Sequence, residues 1–334
     1  MDKVSVIISS WNRIDDLRRT LKSVQTQDYP NFEIIVIDNG STDGSVEMVE
    51  KEFPRVRLHK NRKNLGVSIA KNQGTLLASG SFVHFLDSDI EMTHPYVIST
   101  MVRIMQEHPE IGALGGEAYK TDKGVITKRK EITGNCETST YIMDSDDYRL
   151  YPCGYVATCN CMMRKKVLEK CLGFDNGIMY AGEDKEIGYK LRRMELKSVV
   201  DSRCLVYHYV SDKGRASVFY AFHKNRVRIF IKNYPLYLLP LLPFFDLYYT
   251  FSPKKLRELR ENNRDVTKWV AGKEEKVRKS SFVGKVLIVG VNYVYSLAKA
   301  YLYNFLFLPD TLYIRFKRHD NLREVRERWL SQHK

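Results

Sequence analysis

Cys-x-x-Cys is missing from this chain, although it holds six cysteines. That absence excludes a zinc ribbon and a thioredoxin-type redox pair. Cys159 and Cys161 alternate on a predicted strand and read as small buried apolar residues, which fits a reducing, cytoplasmic compartment. No Gly-x-Gly-x-x-Gly follows the first predicted strand, which argues against a dinucleotide-binding domain. No Walker-type loop is present either, so a phosphate here is to be held by a metal rather than by a glycine-rich cradle. A membrane span needs about 20 mainly apolar residues. The best candidate, 282–308, is interrupted by Lys285 and Lys299. No internal repeat or low-complexity stretch stands out. No signal peptide is visible, since Met1-Asp2-Lys3 runs straight into a strand.

What the chain does have is length enough for one large domain or two ordinary ones, 334 residues, and a 43% hydrophobic composition that can fill a core. Its net charge of +14 is uneven: residues 253–334 carry 19 Lys and Arg against 9 Asp and Glu. A basic C-terminal third beside a near-neutral body points to an anionic surface, lipid or nucleic acid. Aromatic residues among apolar helices suit lipid better, so no nucleic-acid partner is expected.

The first part alternates strand and helix. Strands are predicted at 4–8, 32–37, 56–59 and 82–86, with helices at 14–26, 44–52 and 67–79 between them. The order implies an α/β fold with a doubly wound, mostly parallel sheet. Ligands of such sheets bind beyond the carboxyl ends of the strands. Three strand ends carry polar clusters: Ser9-Ser10-Trp11-Asn12, Asp38-Asn39-Gly40-Ser41-Thr42-Asp43 and Asp87-Ser88-Asp89. They should converge. Two carboxylates one residue apart at the end of an apolar strand are costly without a cation. A hard divalent ion, Mg²⁺ or Mn²⁺, would answer them. Trp11 can form an aromatic wall, and Asp38 can accept hydrogen bonds from a base or ribose. Further helices are predicted at 165–171 and 183–196, the second opening on Glu183-Asp184. Residues 110–160 read as strands and loops shaping a second half-site.

From residue 214 the character changes. Residues 235–251 are aromatic and Leu-rich, 253–280 are charged, and 282–308 are apolar. Lys285, Asn292, Ser296 and Lys299 share one helical face of the last segment. That pattern fits a helix lying in a membrane interface rather than crossing it. The expected division is therefore a catalytic domain at 1–213 and a helical, apolar and basic extension at 214–334.

Together these stretches resemble the family 2 glycosyltransferases of the GT-A fold. The resemblance is carried by VSVIISSWNR at 4–13, LKSVQTQDYPNFEIIVIDNGSTDGS at 21–45, NLGVSIAKNQGTLLASGSFVHFLDSDIEM at 64–92 and YAGEDKEIGYKLRRMELK at 180–197. It covers about residues 3–210. It implies that Ser10, Trp11, Asn12, Asp38 and Asn64 line a nucleotide pocket, with Lys71 near the diphosphate. Asp87, with Ser88 beside it, would contact the ribose or metal. Asp89 would be the main metal ligand, with His208 completing the shell. Asp184 would be the base that deprotonates an acceptor hydroxyl, with Glu183 as the fallback. His223-Lys224-Asn225-Arg226 resembles a segment of members that work on lipid-linked glycans. The implied activity is inverting transfer from a nucleotide-diphosphate sugar to a glycan or lipid-linked acceptor, by an enzyme peripheral on the inner face of the membrane. Two alternatives are a sugar nucleotidyltransferase and a non-catalytic membrane-binding protein of the same fold. The first would need a glycine-rich basic loop after the first strand, where Ser9-Ser10-Trp11-Asn12-Arg13 stands.

Overall fold

The computed structural model describes residues 1–120, 129–132, 138–141, 150–209, 218–250, 281–317 and 320–332. The polar stretch read from Lys120 to Asp147 falls largely outside them, and the charged segment 253–280 falls wholly outside. Two compact units are present. The first comprises Met1–Ile132, Thr138–Val210 and Asp320–Lys334, the second Ser211–His319 with Thr133–Glu137.

The first unit opens with the expected alternation: β1 (Val4–Ser10), α1 (Ile14–Gln25), β2 (Phe32–Asp38), α2 (Ser45–Glu52), β3 (Arg57–Lys60), α3 (Val67–Leu77) and β4 (Phe82–Asp87). Then come β5 (Ile90–Met92), α4 (Val97–Glu107), β6 (Ile111–Lys120), β7 (Arg129–Ile132), β8 (Thr138–Tyr141) and β9 (Tyr151–Cys153). The unit continues with β10 (Asn160–Arg164), α5 (Lys165–Lys170), α6 (Glu183–Arg193) and β11 (Lys197–His208). The main sheet runs β3-β2-β1-β4-β10-β6-β11-β5, with β9 paired to β11. It is parallel through β3-β2-β1-β4 and mixed beyond, because β10 runs antiparallel to both β4 and β6.

Period-two patterning sorts side chains to the two faces. Val4, Val6 and Ile8 of β1 face one core with Leu17, Leu21 and Val24 of α1. Ile7 faces the other, with Ala70 and Leu77 of α3 and Ile187 and Leu191 of α6. This makes three layers, helix on sheet on helix. Since β1, β2 and β4 are parallel and in register, their ends coincide: Ser10 lies opposite Asp38 and Ser9 opposite Asp87.

In the second unit, α7 (Val218–Asn233) leads to a 3-10 turn (Leu236–Leu241) and α8 (Leu242–Thr250). It is followed by α9 (Phe282–Leu306) and α10 (Leu308–Lys317). The last helix, α11 (Asn321–Gln332), was expected with this extension but belongs to the first unit. It packs against α3, and Asn176 donates to the Asn321 carbonyl and to Glu324. The sequence hides this return because α11 is polar on most of its surface. No helix among the described residues is long and apolar enough to cross a membrane.

Candidate active site

The turn after β1 is fixed by its neighbour. Asn12 takes a left-handed backbone, φ 51°, which asparagine tolerates better than most residues. Its side-chain oxygen accepts from the Thr42 N–H at 2.8 Å, and its own N–H donates to Ser41 Oγ at 2.9 Å. Asp38 is buried at the end of β2 and accepts from the N–H groups of Gly40 and Ser41 at 3.0 and 2.9 Å. One carboxylate oxygen is thereby spent on the turn. The other, Oδ1, is buried with no hydrogen-bond partner among the described residues, and so is Ser10 Oγ beside it in the register. Trp11 is half exposed on the same strand end.

Asn64 accepts from the Gly66 N–H at 2.9 Å and so closes the turn into α3. Gly66 has φ +90°, and a Cβ there would meet the Met179 backbone at 2.7 Å. The Val67 N–H donates to the Met179 carbonyl at 2.6 Å, tying this turn to the loop before α6. Both the conformation and the close approach require glycine.

The acidic triplet sits at the end of β4. The Thr20 hydroxyl lies 3.0 Å from the Ser88 carbonyl and 2.6 Å from that of Ile90, which holds the turn in place. Asp89 is buried, with Arg13 Nη1 3.0 Å from Oδ2 and His208 Nε2 3.3 Å from Oδ1. Asp87, Asp89 and His208 each bring one ligand atom within 4.8 Å of the others. Burial raises the pKa of Asp87 and Asp89 adds to this, while Lys71 and His208 pull it down; the net direction is up. Two carboxylates and an imidazole this closely spaced are a donor set that fits a hard divalent ion, which would add to Arg13 in offsetting the acidic charge.

The second acidic pair opens α6. Glu183 is buried, and Lys71 Nζ lies 3.2 Å from its Oε1. Lys71 also donates to Thr158 Oγ1. Burial alone would lower the Lys71 pKa, but Glu183, Asp184 and Asp87 outweigh it and raise it, so the ammonium stays charged. Asp184 is half-buried, and its Oδ1 accepts from the Thr158 hydroxyl at 2.5 Å and from the Thr158 N–H at 3.2 Å. Lys71 therefore links both acidic pairs in one electrostatic group.

Of the sequence-predicted residues, Ser10, Trp11, Asn12, Asp38, Asp87, Ser88, Asp89 and His208 lie at the carboxyl ends of β1, β2, β4 and β11, and Glu183 and Asp184 at the start of α6. Lys71 reaches Glu183 from α3, while Asn64 is engaged in the turn before α3. Two contributors were not legible. Arg13 lies inside a recognised motif, yet nothing in its spacing announces a bond to Asp89, 76 residues away. Thr158 precedes β10 in a stretch with no motif, and only the antiparallel insertion of β10 beside β4 delivers it to Lys71 and Asp184.

The sequence profile described as glycosyl transferase family 2 matches residues 5–172, half of the chain. The chain belongs to glycosyltransferase family 2. This family 2 chain shares a 141-residue stretch, 39% identical, with the glycosyltransferase YibD of Escherichia coli K12, covering 40% of this chain and 41% of that protein. It is 41% identical over 97 residues to the GalNAc(5)-diNAcBac-PP-undecaprenol beta-1,3-glucosyltransferase of Campylobacter jejuni, covering 28% of this chain and 31% of that one. The matches thus span less than half the length of these curated relatives. Among solved structures, the mannosyltransferase PcManGT of Pyrobaculum calidifontis, in complex with GDP-Man and Mn²⁺, superposes with a TM-score of 0.55 at 16% identity. That match covers 91% of this chain and 88% of the other. The fold is that of the GT-A glycosyltransferases.

Proposed function

We propose that this family 2 chain transfers a sugar from a nucleotide-diphosphate donor to an acceptor hydroxyl, with inversion at the anomeric carbon. The observation that carries the reading is the pairing of two acidic groups across one sheet edge. Asp87, Asp89 and His208 can hold a divalent ion, and Asp184 stands at the helix start beyond Lys71. Trp11 offers a flat wall to a nucleobase. Ser10 Oγ and Asp38 Oδ1 are acceptors through which a base or ribose can be bound.

Mn²⁺ or Mg²⁺, when bound, would supply charge neutralisation at the donor diphosphate. Asp184 is the base. The acceptor oxygen attacks the anomeric carbon, the bond from that carbon to the diphosphate oxygen breaks, and the hydroxyl proton passes to Asp184. Thr158 engages Oδ1, which leaves Oδ2 for the proton. Glu183 is held by Lys71 and serves to position its neighbour rather than to take the proton. Single displacement needs no protein nucleophile, so the second pair suffices.

The acceptor is a glycan or lipid-linked glycan, and the enzyme works from the cytoplasmic side as a peripheral membrane protein. Support comes from the basic C-terminal third, whereas His223, Asn225 and Arg226 of the expected lipid-linked-glycan segment are buried within α7. The Campylobacter relative's name, which carries a PP-undecaprenol acceptor, points the same way. The test is a panel of UDP, GDP and dTDP sugars with Mn²⁺, read by donor hydrolysis and thermal shift. One donor class should bind and turn over slowly without acceptor. A panel in which none binds or hydrolyses would favour the non-catalytic alternative.

A further inference from the structure

The helical unit buries Val227, Ile229, Phe230 and Ile231 as usual, yet it also exposes much apolar surface. Among the described residues, seventeen of the twenty-two exposed large hydrophobic side chains fall between Leu236 and Phe316. Its interior, meanwhile, holds charge. Arg226 and Asp246 are fully buried and 2.6 Å apart, and the Tyr301 hydroxyl donates to Asp246 at 2.7 Å. Arg228 is buried with its guanidinium 3.2 Å from the Thr311 hydroxyl. A unit surrounded by water gains by the opposite arrangement. Polar groups paired inside and apolar groups outside are the arrangement that a hydrocarbon solvent favours.

The exposed side chains are ordered, not scattered. On α9, Val283, Leu287, Val291, Val294, Leu302 and Phe305 recur at helical spacing along the whole length. Leu297, Ala300 and Asn304 lie on the buried side. Asn292, Ser296 and Lys299 make a polar strip on the border of the apolar sector. A 25-residue helix is about 37 Å long. One apolar sector along all of it means that every turn meets the same medium. A crossing helix would instead meet water, lipid and water in succession. Tyr237, Leu241, Phe244 and Tyr248 repeat the pattern on the 3-10 turn and α8. Tyrosines at the margin and a basic excess in the same part of the sequence complement the headgroup layer of a bilayer.

We infer that α8 and α9 lie flat in one leaflet of a phospholipid bilayer, their apolar sectors among the acyl chains and the Asn292–Lys299 strip at the headgroups. This deepens the peripheral reading above, on which it rests for location only: the contact is hydrophobic insertion, not charge adsorption. It follows that the chain resists release by salt.

The experiment is flotation of the full chain with phosphatidylcholine vesicles, with and without phosphatidylglycerol. It is run at low salt and at about 1 M NaCl, where charges are screened beyond about 3 Å. The chain should float with both vesicle types at both salt concentrations. A Leu287→Asp/Val291→Asp variant places charge on an exposed surface, so it should fold, keep its thermal-shift response to a donor, and stay at the bottom of the gradient. Lys299→Glu should still float. Release of the wild type by salt, or absence of flotation, would overturn the inference. So would a vesicle-independent dimer by light scattering that the double variant dissolves, since the sector would then face a second copy. Donor response and flotation are separate readouts, so loss of one leaves the other standing.

Discussion

Asp87 and Asp89 flank a single residue at a strand end, whereas Glu183 and Asp184 are consecutive at a helix start. Each pair is costly to bury, and the chain answers them differently. The helix pair has a resident cation: Lys71 lies against Glu183, and Thr158 fastens Asp184. The strand pair has Arg13 and His208 against Asp89, while the Asp87 carboxylate makes no ion pair among the described residues; burial raises the pKa of Asp87 and of Glu183 alike. A pair balanced from within is suited to hold one carboxylate in a fixed place. A pair in which one carboxylate has no ion-pair partner and an imidazole stands close by is suited to take an ion. On the proposed function the same residue type serves two roles, and the difference lies in what surrounds it.

If that contrast is right, the strand pair should matter to activity far more than to stability. Asp89→Ala is expected to lower transfer by about a thousandfold. Its circular dichroism and unfolding midpoint should stay close to wild type. The check is an initial-rate assay at saturating Mn²⁺ beside a urea melt.

The helix pair should behave in reverse at Lys71. Lys71→Met leaves Glu183 buried without its cation, a loss of about 3–5 kcal/mol of stability. Adding Glu183→Gln should recover much of that loss, because a neutral amide needs no counter-charge. Denaturant unfolding of the two variants measures the coupling.

How much of this could be read beforehand follows the chemistry. Strands β1 and β2 announce themselves by short β-branched runs and β4 by an apolar, aromatic one, and parallel pairing then brings Ser10, Asp38 and Asp87 to one edge. The Asp-Ser-Asp triplet is legible because two carboxylates closing an apolar strand are costly to bury unless a cation joins them. Glu183-Asp184 is legible mainly through the family resemblance, since acidic residues open many helices. The partners are less visible. Arg13 to Asp89 and Thr158 to Asp184 depend on long-range strand order, above all on β10 entering antiparallel, which no local pattern encodes. The return of α11 to α3 is hidden for the same reason, as it rests on Asn72, Asn176 and Asn321 in three separate segments.

A control outside the pairs sharpens the contrast by showing ordinary burial. His84 is fully buried in β4, its Nε2 2.8 Å from the Asn160 side-chain oxygen. Burial lowers its pKa to about 4, with Asn160 pulling the other way. The imidazole is therefore neutral in the folded protein while the unfolded chain takes up a proton below about 6.5. The unfolded state binds more protons in that window, so stability falls as pH drops from about 6.5 to about 4, by roughly 3 kcal/mol. His84→Gln should flatten that part of the pH–stability curve in chemical denaturation.

The smallest effect expected concerns Thr158. Thr158→Val removes a hydroxyl shared by Lys71 and Asp184, a loss of about 1–3 kcal/mol. Turnover should drop with it, and Thr158→Ser should restore both. An unchanged turnover in Thr158→Val would show that Asp184 needs no such support.

The most direct measurement is single-turnover transfer by Asp184→Asn, with donor binding followed on the same sample. The substitution keeps size and the Thr158 contacts but cannot accept a proton. Donor affinity should stay near wild type, while transfer falls by about 10²–10⁴-fold. Transfer at the wild-type rate by a folded, donor-binding Asp184→Asn would contradict the assignment of Asp184 as the base.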